Sequence, residues 1–177
     1  LTLAPSLDSA TVTPQIYPEG KLRCTAPVFE PGGGGINVAR AISHLGGNAT
    51  ALFPAGGATG EHLTALLKEE NVAVDAIVSQ DWTRQNLHVH VETSGEQYRF
   101  VMPGAHLTSD EFRQLEEKVL AAEPGALLVI SGSLPPGVAL NDFTQLIQRA
   151  REQGLRCVID SSGDALAAAL EIGGIEL

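Results

Sequence analysis

The sequence predicts an α/β domain: a parallel sheet with helices on both faces. Short apolar runs at residues 1–4, 50–54, 72–78, 126–131 and 155–160 alternate with stretches of helical periodicity. That is the pattern of core strands joined by crossover helices. Four consecutive glycines, Gly32 to Gly35, open one of the helical stretches. Residues 10–30 and 86–102 stand apart, because they alternate with period two and read as extra β pieces inserted into the α/β pattern.

Leu1 to Ala4 is the expected first core strand. Pro5-Ser6-Leu7-Asp8 follows at its carboxyl end, where open α/β sheets place ligands. Taken alone, Asp8 caps a turn. Residues 10–17 and 22–30 read as two short strands that Pro14, Pro18 and Pro27 push towards edge positions. Lys21 and Arg23 in this region suit either edge protection or contact with a phosphate.

After the glycines, Ile36, Ala39, Ile42 and Leu45 recur every three residues as one helix face, and Gly46-Gly47 stop it. A glycine run before a helix lets the backbone approach a ligand closely. The first free N–H groups and the positive dipole end then favour an anionic or hydroxyl-rich partner. Two familiar loops are excluded. No Lys follows these glycines as a P-loop requires, and Asn37 or Val38 breaks the last position of a dinucleotide fingerprint.

Residues 50–54 form the next strand. Thr59 is the expected N-cap of a helix through Glu70, with Leu63, Leu66 and Leu67 inward. Residues 72–78 are again strand. Residues 86–92 and 97–102 make a hairpin turned at Ser94-Gly95-Glu96, with Tyr98, Phe100 and Met102 on one face. His88 and His90 share a strand face, which reads as solvated rather than as a metal site, since no third ligand suggests itself. Leu107 to Ala122 is the best-marked helix: Thr108 and Glu111 form a capping box, and Leu107 with Phe112 a hydrophobic staple. Strand 126–131 leads into Gly132-Ser133-Leu134-Pro135-Pro136-Gly137, which is not a nucleophile elbow. A helix at 142–153, a strand ending at Asp160 and a short helix through Ala169 complete the readable chain. Asp160 suits either a helix cap or an electrostatic role.

The run G-G-G-G-I-N-V-A, six residues to Gly46 and nine more to Gly56, resembles the N-terminal signature of the PfkB (ribokinase-like) carbohydrate kinases. The resemblance covers the whole chain, which looks like the first half to three-fifths of such a kinase. It implies a ribokinase-like fold, truncated at its C-terminal side, with the pieces at 10–30 and 86–102 forming a small β lid. It implies ATP and Mg as cofactors and phosphorylation of a sugar phosphate at a primary hydroxyl. In this resemblance Asp8, Gly33, Gly34, Gly35 and Asn37 hold the sugar. Arg84, with Lys21 or Arg23, holds its phosphate, Ser133 adds a contact, and Asp160 lies near Mg·ATP. Sister groups acting on fructose 1-phosphate or tagatose 6-phosphate tend to carry a Lys within the glycines. The uninterrupted Gly32 to Gly35 therefore favours fructose 6-phosphate. The family's Gly-Ala-Gly-Asp run, with the catalytic base, is absent from this sequence, and no metal ligand or catalytic residue is assigned here. The expectation is a portion without turnover of its own; a non-catalytic sugar-phosphate-binding module is the alternative. Lids of this kind often pair between subunits, so a homodimer is expected.

The 177 residues fit one domain, and 44% hydrophobic content is ordinary for a globular chain. Eleven Lys and Arg against 21 Asp and Glu leave a net charge of −10. This argues against nucleic acid and anionic membranes as partners. A phosphorylated small molecule needs only a few local cations. No apolar run approaches the ~18 residues of a membrane span, and no signal peptide is apparent. Cys24 and Cys157 lie far apart and read as reduced thiols of a cytoplasmic protein. Both ends look cut, with Leu1–Ala4 the tail of one strand and Ile175–Leu177 the start of another.

Overall fold

A computed structural model describes residues 1–176. Its element order is β1 (Ser6–Thr13), β2 (Val28–Gly32), α1 (Gly34–His44), β3 (Thr50–Ala55), α2 (Gly57–Glu69), β4 (Ala73–Val78), β5 (Arg84–Val91), β6 (Gln97–Phe100), α3 (Ser109–Leu120), β7 (Leu127–Ser131), α4 (Leu140–Glu152), β8 (Arg156–Asp160) and α5 (Gly163–Ile172).

The expected parallel sheet is present in pieces. β3 pairs with β4 and β7 with β8, both in parallel. Residues 1–4 lie between the two pairs. The Thr2 N–H donates to the Leu52 carbonyl at 3.0 Å, and the Ser131 N–H donates to the Leu1 carbonyl at 3.2 Å. The segment thus fills the place of a central strand, although its few hydrogen bonds do not amount to a ladder. Next to β8, the Glu176 N–H donates to the Cys157 carbonyl at 2.7 Å. Leu177, the last residue of the strand expected there, lies outside the described residues.

Helices cover both faces. One apolar cluster joins Leu3, Leu52, Ile77 and Ile130 to α3, α4 and α5 through Leu115, Phe143, Leu146 and Ala169. The other joins Leu7 and Phe53 to α1 and α2 through Ile36, Ala39, Leu63 and Leu67. Burying a side chain the size of Phe53 contributes about 1.5–3 kcal/mol.

The inserted β pieces form one four-stranded sheet, ordered β2-β1-β5-β6. β1 runs parallel to β5 and antiparallel to β2, and β5 pairs with β6 antiparallel. The strands expected at 10–17 and 22–30 are displaced. β1 starts at Ser6 and stops before Pro14, and β2 starts after Pro27. Proline lacks the N–H a ladder needs. The connection between them is instead pinned to β1 by Thr25, whose N–H donates to the Val12 carbonyl and whose carbonyl accepts from the Thr11 hydroxyl at 2.8 Å.

Two expected helix details fail, one because the partner comes from far along the chain and the other because the helix stops a residue early. Thr59 lies inside α2 and is not its N-cap. Its hydroxyl donates to the Thr83 carbonyl at 2.6 Å, while the Thr83 hydroxyl accepts from the N–H of Gly56, the residue that caps α2. Leu45 is not part of the buried face of α1. It follows the last helical residue and is 88% exposed, with Gly46 turning the chain away at φ 80°. Around α3 the expectation holds fully, since both halves of the Thr108–Glu111 capping box are formed. Close to the start of β5, the indole of Trp82 lies over Gly57, leaving no room there for a side chain.

Candidate functional site

The glycine run spans a strand end and a helix start. Gly32 closes β2, Gly33 is the N-cap of α1 at φ 123°, and Gly34 and Gly35 are its first two residues. Only glycine adopts the Gly33 conformation without strain. Each of the others lies against something. A side chain at Gly32 would meet the Ser6 hydroxyl and Asp8 Oδ2, one at Gly34 the Ser131 hydroxyl, and one at Gly35 the Leu1 carbonyl and Thr2. No side chain of its own caps α1. The buried Thr2 hydroxyl accepts from the Ile36 N–H at 2.9 Å instead. The first N–H groups of α1 therefore open beside the carboxyl ends of the central strands.

Asp8 is not in a turn. It sits within β1, opposite Glu30 of β2 and Asn86 of β5. The alternation of residues 86–92 gave Asn86 no special role, yet it is only 6% exposed. Its Nδ2 donates to Asp8 Oδ1 at 2.8 Å, and its Oδ1 accepts from the Met102 N–H at 3.0 Å. Asp8 and Asn37 line one open groove of about 460 Å³ together with Glu30, Pro31, Arg40 and His44. Arg40 is tied off there. It forms a bidentate pair with Glu70 at 2.7 and 2.8 Å, and this contact holds its pKa above the ordinary arginine value.

Arg84 begins β5, opposite Ser6 and two residues from Asn86. Its Nη1 donates to the Met102 carbonyl at 2.9 Å and its Nη2 to the Ala4 carbonyl at 3.0 Å. Its Nε is buried and has no hydrogen-bond partner among the described residues. No carboxylate among the described residues lies within ion-pair distance of it. Burial pushes the guanidinium below its ordinary pKa, and the nearby Asp8 charge only partly opposes this. A half-buried cation with an orphaned donor is costly unless an anion completes it.

Ser133 is exposed on the loop after β7, next to Gly132, where a Cβ would lie 3.9 Å from the Gly34 nitrogen. Asp160, at the end of β8, does not cap α5. Its Oδ2 accepts from the buried Ser131 hydroxyl at 2.7 Å, and its carbonyl accepts from the Gly132 N–H at 2.9 Å. Ser131, Thr2 and Asn86 are thus three buried polar residues that nothing in the sequence marks, each within an otherwise ordinary strand pattern. Lys21 and Arg23 lie in the exposed 14–27 connection, and no side-chain hydrogen bond among the described residues joins them to Asp8 or Arg84. His88 and His90 stay on the strand pair β5–β6, opposite Arg99 and Gln97. Among the described residues no group of three or more His, Cys, Asp or Glu is placed to hold a metal ion. No helix among them is long and apolar enough to cross a membrane.

This geometry has known counterparts. The profile of the pfkB family carbohydrate kinases matches residues 1–173. The chain is 78% identical over its whole length to the ATP-dependent 6-phosphofructokinase isozyme 2 of Escherichia coli K12, of which it covers 57%. It is 45% identical over 94% of its length to the isozyme 2 enzyme of Mycobacterium tuberculosis, covering 49% of that protein. A crystal structure of the E. coli phosphofructokinase-2 in complex with fructose-6-phosphate superposes with a TM-score of 0.97, over 99% of this chain and 58% of that one. The chain belongs to the pfkB family of carbohydrate kinases, and its fold is the ribokinase-like fold of that family. It spans about half the length of the curated relatives it matches.

Proposed function

We propose that the chain supplies the sugar-phosphate half of an ATP-dependent 6-phosphofructokinase, converting fructose 6-phosphate to fructose 1,6-bisphosphate. One observation carries the reading: the half-buried Arg84 cation, which among the described residues has no ion-pair partner and no acceptor for its Nε, beside the Asp8 carboxylate and the glycine-opened end of α1. An anion and a set of hydroxyls on one small molecule complement that combination. The E. coli relative's name and its fructose-6-phosphate complex support the choice of sugar.

The roles follow from the chemistry of each group. The Arg84 guanidinium takes the phosphate already on the sugar. Asp8 accepts hydrogen bonds from sugar hydroxyls, and Asn37 and the backbone of Gly33 to Gly35 line the ring. Ser133 adds a hydroxyl from the β7 loop. Lys21 and Arg23 reach the phosphate only if their exposed connection is brought over it. Phosphoryl transfer depends mainly on such positioning and on charge stabilisation.

ATP and Mg belong to this reading, but the donors present do not make their site. Asp160 has one carboxylate oxygen engaged by Ser131, and among the described residues it belongs to no group of three or more His, Cys, Asp or Glu placed to hold a metal ion.

A thermal-shift titration of the chain tests the binding half. Fructose 6-phosphate is expected to raise the melting temperature in a concentration-dependent way, while fructose and inorganic phosphate do so far more weakly. A ligand at 100 times its Kd adds about 2.7 kcal/mol of stability. A cooperative melt that no sugar phosphate moves would overturn the reading.

A further inference from the structure

The contact that holds Asp8 runs through a side chain to which the proposed function gives no part. Asn86 is buried opposite Asp8, with its backbone carbonyl accepting from the Ser9 hydroxyl at 3.0 Å. Its amide oxygen is committed to the Met102 N–H, so the group can turn only its NH2 towards Asp8. The carbonyl of that same Met102 accepts from Arg84 Nη1. One residue after the hairpin is thus held on its N–H by Asn86 and on its carbonyl by Arg84. With Oδ1 of Asp8 occupied by Asn86, Oδ2 is left lying against Gly32, where only the absence of a side chain gives it room.

We infer that Asn86 is a positioning residue for the sugar phosphate: it locks the Asp8 carboxylate with one oxygen held and the other offered, and through Met102 it sets that acceptor in register with the Arg84 guanidinium. The inference rests on the proposed roles of Asp8 and Arg84. It makes Asn86 a determinant of which ligand hydroxyl geometry is accepted. The ligand never has to touch Asn86.

Asn86→Asp is the informative variant, because a protonated carboxyl can replace the amide's donor and acceptor, whereas a carboxylate faces Asp8 with like charge. The other charged or titratable groups around this position are Glu30 on β2, Arg40 and His44 on α1, and Arg84, His88 and Arg99 on β5 and β6. Affinity for fructose 6-phosphate, measured by calorimetry and expressed as the ratio of variant to parent, is expected to fall at least about tenfold at pH 8 and to recover towards pH 5.5. A ratio that does not change with pH overturns the inference. If Asn86→Asp does not fold, Asn86→Ala is compared in the parent and in an Asp8→Asn background. A loss in the first that nearly vanishes in the second is expected, and equal losses in both overturn it. A ligand-free readout separates this inference from the function it rests on. The Asn86 side-chain NH2 is expected to exchange slowly with solvent in the parent and quickly in Asp8→Ala. Equal exchange in the two proteins overturns the inference whether or not fructose 6-phosphate binds.

Discussion

Gly34 has no room for a side chain, because the Ser131 hydroxyl occupies the space its Cβ would need. Gly34→Ala should therefore cost about 1–3 kcal/mol, the usual price of overpacking a close contact. Urea unfolding should show Ser131→Ala recovering part of that loss in the double variant, and independent, additive losses would place the clash elsewhere. Arg84 makes the opposite kind of case, since its surroundings lack something. Hydrogen bonds to charged groups contribute ~1.5–3 kcal/mol. Arg84→Gln should thus weaken fructose 6-phosphate binding by roughly ten- to a hundredfold. Calorimetry that finds an unchanged Kd would remove Arg84 from the site. At this scale the sequence is unevenly legible. Asp8, Arg84 and the glycines stood out through their resemblance to a family pattern, but Asp8 was expected in a turn and lies in mid-strand. Asn86, Thr2 and Ser131 gave no signal, because what singles them out is a partner 78, 34 or 29 residues away.

Elements whose instructions are local formed as expected, and α3 is the clearest. Its capping box is complete, and Glu111 also accepts from the Gln80 N–H at 2.6 Å, fastening the connection that leads into β5. Burial works against charge on Glu111, but bonds from the Thr108 and Gln80 N–H groups and the Thr108 hydroxyl outweigh it and hold the carboxyl below its usual range. A depressed carboxyl stabilises the fold above its unfolded pKa, roughly 4.3, and the contribution is lost as pH falls through the folded value. Glu111→Gln should therefore melt below the parent at pH 7, with the gap closing under acid conditions. A gap independent of pH would show that the carboxylate's charge is irrelevant. Thr108→Ala should cost about 1 kcal/mol through the lost cap, and an unchanged urea midpoint would refute it. α1 and α2 are different. Their N-terminal N–H groups are met by Thr2 and Thr83, from outside the helix, and no local pattern could have announced that.

For the molecule as a whole, the α/β order was legible because five apolar runs alternate with helical stretches, and each run is a strand or fills a strand's place. The inserted sheet was legible as alternation, though its bounds moved to where the prolines allow a ladder. Along the edge strand β6 and just after it, Phe100, Val101 and Met102 are exposed, between 44% and 62%. An exposed apolar edge suits a second copy of the chain, and we propose a homodimer formed through it. Sedimentation equilibrium should find dimers for the parent and monomers for Phe100→Lys at the same concentration. A monomeric parent would dismiss the dimer.

Trp82 lies over Gly57, two positions before Arg84, and it is the only tryptophan in the sequence. The chain therefore carries a single optical reporter, seated on the start of α2 and close in sequence to the residue proposed to meet the phosphate. Its emission should shift in wavelength or intensity as fructose 6-phosphate is added, with the same half-saturation as the thermal titration. The occupancy of the pocket can then be followed by light alone, without label or coupled assay.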